Sequence, residues 1–342
     1  MVVSGLSNAV AVSGGSTHSC ALLLGGTVKC LGDNTIGQLG TGNLVSSLTP
    51  VAVVGMTNAV AIGAIAGYSC AVLATGTVKC WGDNTDGELD NGTTVGSTTP
   101  VTVSGLVGAA TTQGGLAAGG FNACAVLASG GAKCWGNNTY GQLGDGTNLS
   151  STTPVAVSGL CNTVAITVGD EYSCAVLSGG TVKCWGFNTH GQLGNATTTN
   201  ESTPVAVSGL VSATAIATGS DDTCAVSAGG EKCWGGNSVG ELGDGTTTDS
   251  STPVAVSGAA GAIAVAASGN VNVPHSCAIF GTDTAKCWGD TPPQQADARR
   301  HARLTAITRV RLSDRRVSNN SLLHLLQGVS CSDMLAVEHL HR

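Results

Sequence analysis

No arginine precedes Arg299 in this chain of 342 residues, and charged residues make up only 10% of it, against about 25% in an ordinary globular protein. Through Asp290 the cations are six lysines facing 17 Asp and Glu, formally −11; the remainder carries eight arginines and four acids, formally +4. An acidic body without arginine excludes a nucleic-acid-binding role, which needs cations to replace phosphate counterions. No apolar run approaches the ~20 residues of a membrane-spanning helix. The 3.6-residue periodicity of amphipathic helices is missing as well. So are the G-x-S-x-G, H-E-x-x-H and P-loop signatures, which argues against an enzyme and against a cofactor. Met1 runs straight into VVSGLSNAVAV without the pattern of a signal peptide. The start therefore reads as the interior of a longer gene product.

What is present is a phrase repeated six times, each copy carrying two cysteines: CALLLGGTVKCLG at Cys20, CAVLATGTVKCWG at Cys70, CAVLASGGAKCWG at Cys124, CAVLSGGTVKCWG at Cys174, CAVSAGGEKCWG at Cys224 and CAIFGTDTAKCWG at Cys277. A period of about 50 residues signals a modular array. In the fourth copy, β-branched runs at 164–168, 173–177, 181–185 and 205–207 are separated by Gly, Asn and Pro signals. Four short strands per copy make a propeller blade. The expectation is an all-β fold over residues 1–290: a six-bladed β-propeller of four-stranded antiparallel blades. The opening VVSGL matches the exit from a fourth strand, so it is expected to complete the last blade. An incomplete seven-bladed ring is the alternative.

The paired cysteines (Cys20 with Cys30, Cys70 with Cys80, Cys124 with Cys134, Cys174 with Cys184, Cys224 with Cys233, Cys277 with Cys287) sit across a hairpin at a spacing that can put them opposite each other. They read as disulfides, with buried reduced thiols as the alternative; the spacing and the scarcity of histidine argue against a metal. Cys161 and Cys331 have no repeat partner and are expected to be free. Trp81, Trp135, Trp185, Trp234 and Trp288 recur after the second cysteine, with Leu31 in the first copy. They read as packing between blades, with carbohydrate stacking as a weaker option.

Two positions vary between copies and are candidates for partner contact. One, two residues before the first cysteine, holds His18, Tyr68, Asn122, Tyr172, Asp222 and His275. These six are expected to crown one face near the axis. The other lies in the long loop after the third strand and includes Ile36, Asp86, Tyr140, His190 and Val239. Asp145 and Asp244, in Gly-Asp-Gly-Thr, read as turn formers rather than calcium ligands.

Taken together, the His-Ser-Cys-Ala-Leu, Gly-Thr-Val-Lys-Cys-Trp-Gly, Asn-x-x-Gly-Gln-Leu-Gly and Thr-Pro-Val-x-Val segments resemble the regulator of chromosome condensation repeat, in its cysteine-bearing bacterial form. Gln38-Leu39-Gly40, Gln142-Leu143-Gly144, Gln192-Leu193-Gly194 and Glu241-Leu242-Gly243 carry the likeness, over about residues 1–290. The resemblance implies a propeller, usually of seven blades, used for protein recognition. The founding member exchanges nucleotide on a small GTPase. The reading is therefore a monomeric, exported, non-enzymatic module at the cell surface, binding a protein or a surface glycan through its loops. A cytoplasmic regulator of a small GTPase is the alternative. Residues 291–342, with every arginine, break the pattern. They read as a frame-shifted or gene-end segment of low order, or else as a basic appendage.

Overall fold

Short β-branched runs cut by glycine leave this chain little choice but sheets of short strands. The computed structural model describes residues 5–290, apart from 113, 229, 269–273 and 282–283. It contains six antiparallel sheets and, among the described residues, no helix. The fourth blade is representative: Thr163–Val168, Tyr172–Leu177, Val182–Gly186 and Glu201–Ala206 pair in chain order as a four-stranded meander. The first strands of successive blades neighbour one another from the first blade to the sixth, so they line the axis. Six blades stand where six phrases predict them.

The first five sheets have four strands, and the sixth has three among the described residues. The strand expected to complete it falls on residues 1–4, outside the described residues. The next residue, Gly5, accepts a hydrogen bond from Lys29 Nζ at 3.1 Å. Connectors between blades make the same contact: Lys183 Nζ to Gly159 O at 3.3 Å and Lys232 Nζ to Gly209 O at 3.3 Å. The repeated lysine thus ties five of the six blades to the segment entering them.

Register puts the paired cysteines directly opposite each other in all six blades. Each pair is bonded, with Cα atoms 4.0–4.1 Å apart. Cys161, expected to be free, is disulfide-bonded instead. Residues 291–342 and the readings placed on them lie outside the described residues.

The core lies between blades as a series of slabs. One is built by Cys174, Val182, Leu193, Val207, Ala225 and Trp234, drawn from blades four and five. The tryptophan locks each joint. Trp81, Trp135, Trp185 and Trp234 are fully buried. Their indole N–H groups donate to carbonyls of the preceding blade: Gln38 at 3.0 Å, Glu88 at 2.8 Å, Gln142 at 2.9 Å and Gln192 at 2.9 Å. Trp288 does the same to Glu241, at 2.7 Å. A buried indole needs such an acceptor. Buried and satisfied, Trp81, Trp135, Trp185 and Trp234 offer no platform for stacking sugars; Trp288 is half-buried. Room for the ring comes from glycine: a Cβ on Gly194, whose φ is +67°, would meet Trp234 at 2.7 Å.

Candidate interaction surface

One end of the propeller carries the loops between first and second strands together with the long loops between third and fourth strands. A buried asparagine organises each long loop. Asn188 Nδ2 donates to the carbonyls of Thr197 (3.1 Å) and Thr199 (2.9 Å), and its Oδ1 accepts from Leu193 N (2.9 Å). Asn34, Asn84, Asn138 and Asn237 hold the same place, all at 0% exposure. Asp145 and Asp244 each accept from the backbone N–H two residues on, Thr147 and Thr246, so they shape turns as read from the sequence.

Residues two before the first cysteine do not form the expected crown. His18, Tyr68, Asn122, Tyr172 and Asp222 are buried, and His275 is half-buried. The five buried ones reach sideways into the next blade. His18 Nε2 and Ser69 Oγ share a hydrogen bond of 2.8 Å. Tyr68 Oη donates to Asn122 O at 2.8 Å and Tyr172 Oη to Asp222 O at 2.6 Å. Asn122 Nδ2 donates to Ser173 Oγ at 3.3 Å, and Ser276 Oγ donates to Asp222 at 2.8 Å. Burial pulls His18 down to about 4, against the attraction of Asp33, so the imidazole is neutral. This ring of side chains joins blade to blade.

The long-loop position behaves differently. Ile36, Val239 and His190 are exposed, while Asp86 and Tyr140 are half-buried. Tyr140 packs against Phe187 of the next blade, ring centroids 4.9 Å apart. His190 Nδ1 meets Asp249 Oδ2 of the next blade at 2.9 Å. Beside that pair a cavity of about 150 Å³ opens, lined by His190, Asp221, Asp222, Glu241 and Asp249. Carboxylates crowd here. Burial, with help from Glu241 and Asp221, raises Asp222 to about 7. Burial raises Asp170 to about 6, and Glu171 and Asp221 also move up. Their mutual repulsion is relieved by protons or by a cationic neighbour. Sequence reading missed this acidic hollow because its members come from separate segments of blades four and five.

The matches to known repeats fall on the same blades. The regulator of chromosome condensation (RCC1) repeat matches residues 130–176 and 179–226, and a second form of that repeat matches 9–38, 59–88, 115–142 and 164–192. This chain belongs to the RCC1 repeat family. No curated protein sequence matches it. Among solved structures, RCC1 (Prp20) of yeast bound to Kap60 superposes with a TM-score of 0.70 at 22% identity, covering 82% of this chain and 70% of that one. Prp20p of Saccharomyces cerevisiae, described with its binding to Gsp1p and histones, gives 0.68 at 22% over 82% and 71%. Human WBSCR16 gives 0.65 at 24% identity, over 75% of this chain and 68% of that one. At such identities the RCC1 likeness shows the fold. Among the described residues, no helix is long and apolar enough to cross a membrane.

Proposed function

We propose that this chain is an exported, non-enzymatic RCC1-type propeller that binds a protein through its long-loop face, with a basic segment of the partner entering the acidic hollow at blades four and five. One observation carries the reading. Inside a loop frame repeated to within a few tenths of an ångström, the residue before the frame's glycine differs in each copy, exposed at Ile36, His190 and Val239 and half-buried at Asp86 and Tyr140. Variation at an exposed point of a fixed frame is how scaffolds carry specificity. Six disulfides support export, since such bonds persist in oxidising compartments. Kap60, Gsp1p and histones are partners of yeast Prp20; they support protein recognition as the use of this fold. The test is cross-linked capture from the native surface extract, with wild-type chain beside a Tyr140→Ala, His190→Ala variant. A specific band that weakens with the variant is expected. Equal capture by both removes the long-loop face from consideration, and capture of glycan alone replaces the protein partner.

A further inference from the structure

The fifth blade breaks two rules that the others keep. Its cysteines are separated by nine residues rather than ten. On its third strand, Glu231 faces Val226 at the register where the other blades place Val28, Val78, Ala132, Val182 and Ala285. Glu231 is 3% exposed, and neither of its carboxylate oxygens has a hydrogen-bond partner. An unpartnered buried carboxyl is costly, and nothing in the packing of this blade repays it. Strand alternation turns Glu231 to the same side as Cys233, two residues on. A carboxylate oxygen of Glu231 and the Sγ atoms of Cys224 and Cys233 all lie within 4.8 Å of one another, with all three residues buried. Ser276 Oγ of the sixth blade stands 3.5 Å from Cys224 Sγ. A tetrahedral cation with bonds of about 2.0–2.3 Å holds such ligands about 3.3–3.8 Å apart, so the two sulfurs, bonded to each other here, must separate while the carboxylate closes in.

We infer that, once reduced, the fifth blade binds one thiophilic divalent cation of the zinc class through Cys224, Cys233 and Glu231. In the oxidised blade the two sulfurs are bonded to each other. A phosphine reductant breaks that bond: its phosphorus takes the oxygen of a water molecule and leaves as the phosphine oxide, and the two protons of that water end on the two thiols. The cation then displaces both thiol protons and the carboxyl proton, leaving three anionic ligands around a dication. Access is through the hairpin tip, where Ala228 is exposed. Cysteine spacing argued against a metal because it looks for Cys and His ligands; here the third ligand is a glutamate inside the hairpin.

The experiment uses the full chain, reduced without denaturant by a phosphine, desalted anaerobically and titrated with Co²⁺, reading the thiolate-to-cobalt absorption. Alkylation and mass measurement confirm that Cys224 and Cys233 are reduced. The comparison is Glu231→Val, which restores the residue of three sister blades and is checked for folding by its melting curve. One Co²⁺ site should disappear, or weaken by at least about tenfold, in the variant, since even indirect partners of a metal are worth about ten- to a hundredfold in affinity. The other five reduced pairs lack the carboxylate and serve as the internal baseline. Equal titrations for both proteins, binding by the oxidised chain, or a Cys224–Cys233 pair that resists reduction would each overturn the inference.

Discussion

Replacing Asp90 with glycine should stabilise the propeller, and should do so most at alkaline pH. In the other long loops this place is held by Gly40, Gly144, Gly194 and Gly243, where a side chain would press on the next blade's tryptophan. Asp90 nevertheless sits there with φ +52°, a conformation costing an L-residue about 1 kcal/mol. It is fully buried, and neither carboxyl oxygen has a hydrogen-bond partner, which adds about 1–3 kcal/mol. The expected gain for Asp90→Gly is therefore about 2–4 kcal/mol near neutrality. Burial raises the carboxyl from 3.8 to about 9, with Lys133 pulling the other way. A folded value above the unfolded one means that the native state holds the proton longer. The stability this confers is complete below about pH 4 and drains as pH rises through 9. One retained proton sets a ceiling of about 1.4 kcal/mol per pH unit, and relaxation with water entry keeps the realised slope below it. The other strongly raised carboxyls titrate near 6 or 7, so the interval from about pH 7.5 to 9 isolates Asp90. Urea unfolding of the disulfide-intact protein at about pH 5, 7.5 and 9 reads the effect. Wild-type stability should fall across the upper interval while Asp90→Gly stays level. Asp90→Asn should also stay level but recover less, because the backbone strain remains. Parallel slopes for wild type and glycine variant would refute the reasoning.

Three further outcomes follow from the joints and loops. Trp234→Leu, which copies the first blade's Leu31, removes one of the two donors to the Gln192 carbonyl, Thr223 Oγ1 keeping the other at 3.0 Å, and opens space in a packed slab; a loss of about 2–4 kcal/mol in urea unfolding is expected, most of it from the cavity. Cys174→Ala with Cys184→Ala removes a short cross-link and should lower stability by about 2–3 kcal/mol, with strands intact by circular dichroism. Asn188→Ala leaves two loop carbonyls and the Leu193 N–H without this partner; amide exchange should accelerate in residues 188–200 well before the sheets, and unchanged exchange there would show that the loop holds itself.

Blades, strand order and cross-strand cysteines were legible because each is a local consequence of strand period and hairpin length, repeated six times over. The joints were harder. Tyr172 is expected from the sequence to crown one face, yet it begins the second strand and lies two residues from Cys174. Strand alternation alone puts both on one side, so a buried cysteine already implied a buried tyrosine. Ser173, on the opposite side, is buried too, because a blade packs on both faces; that depends on its neighbours and is invisible in a single copy. Asp90 and Glu231 were visible as departures from their sister residues, Gly in one case and Val or Ala in the other. Their meaning was not visible, since it rests on what lies across the joint. The acidic hollow was further still from view, assembled from loops distant in sequence and adjacent only in space.

The indole-to-carbonyl contacts all run one way, from each blade back to the one before it, and the first blade carries Leu31 in place of the donor. The six modules are therefore not interchangeable beads. Exchanging the first two modules would seat Leu31 at a joint where the fold needs an indole donor, and would leave the carbonyl there without one. Vectorial stacking of this kind makes the order of the modules part of the fold, even where their sequences look alike.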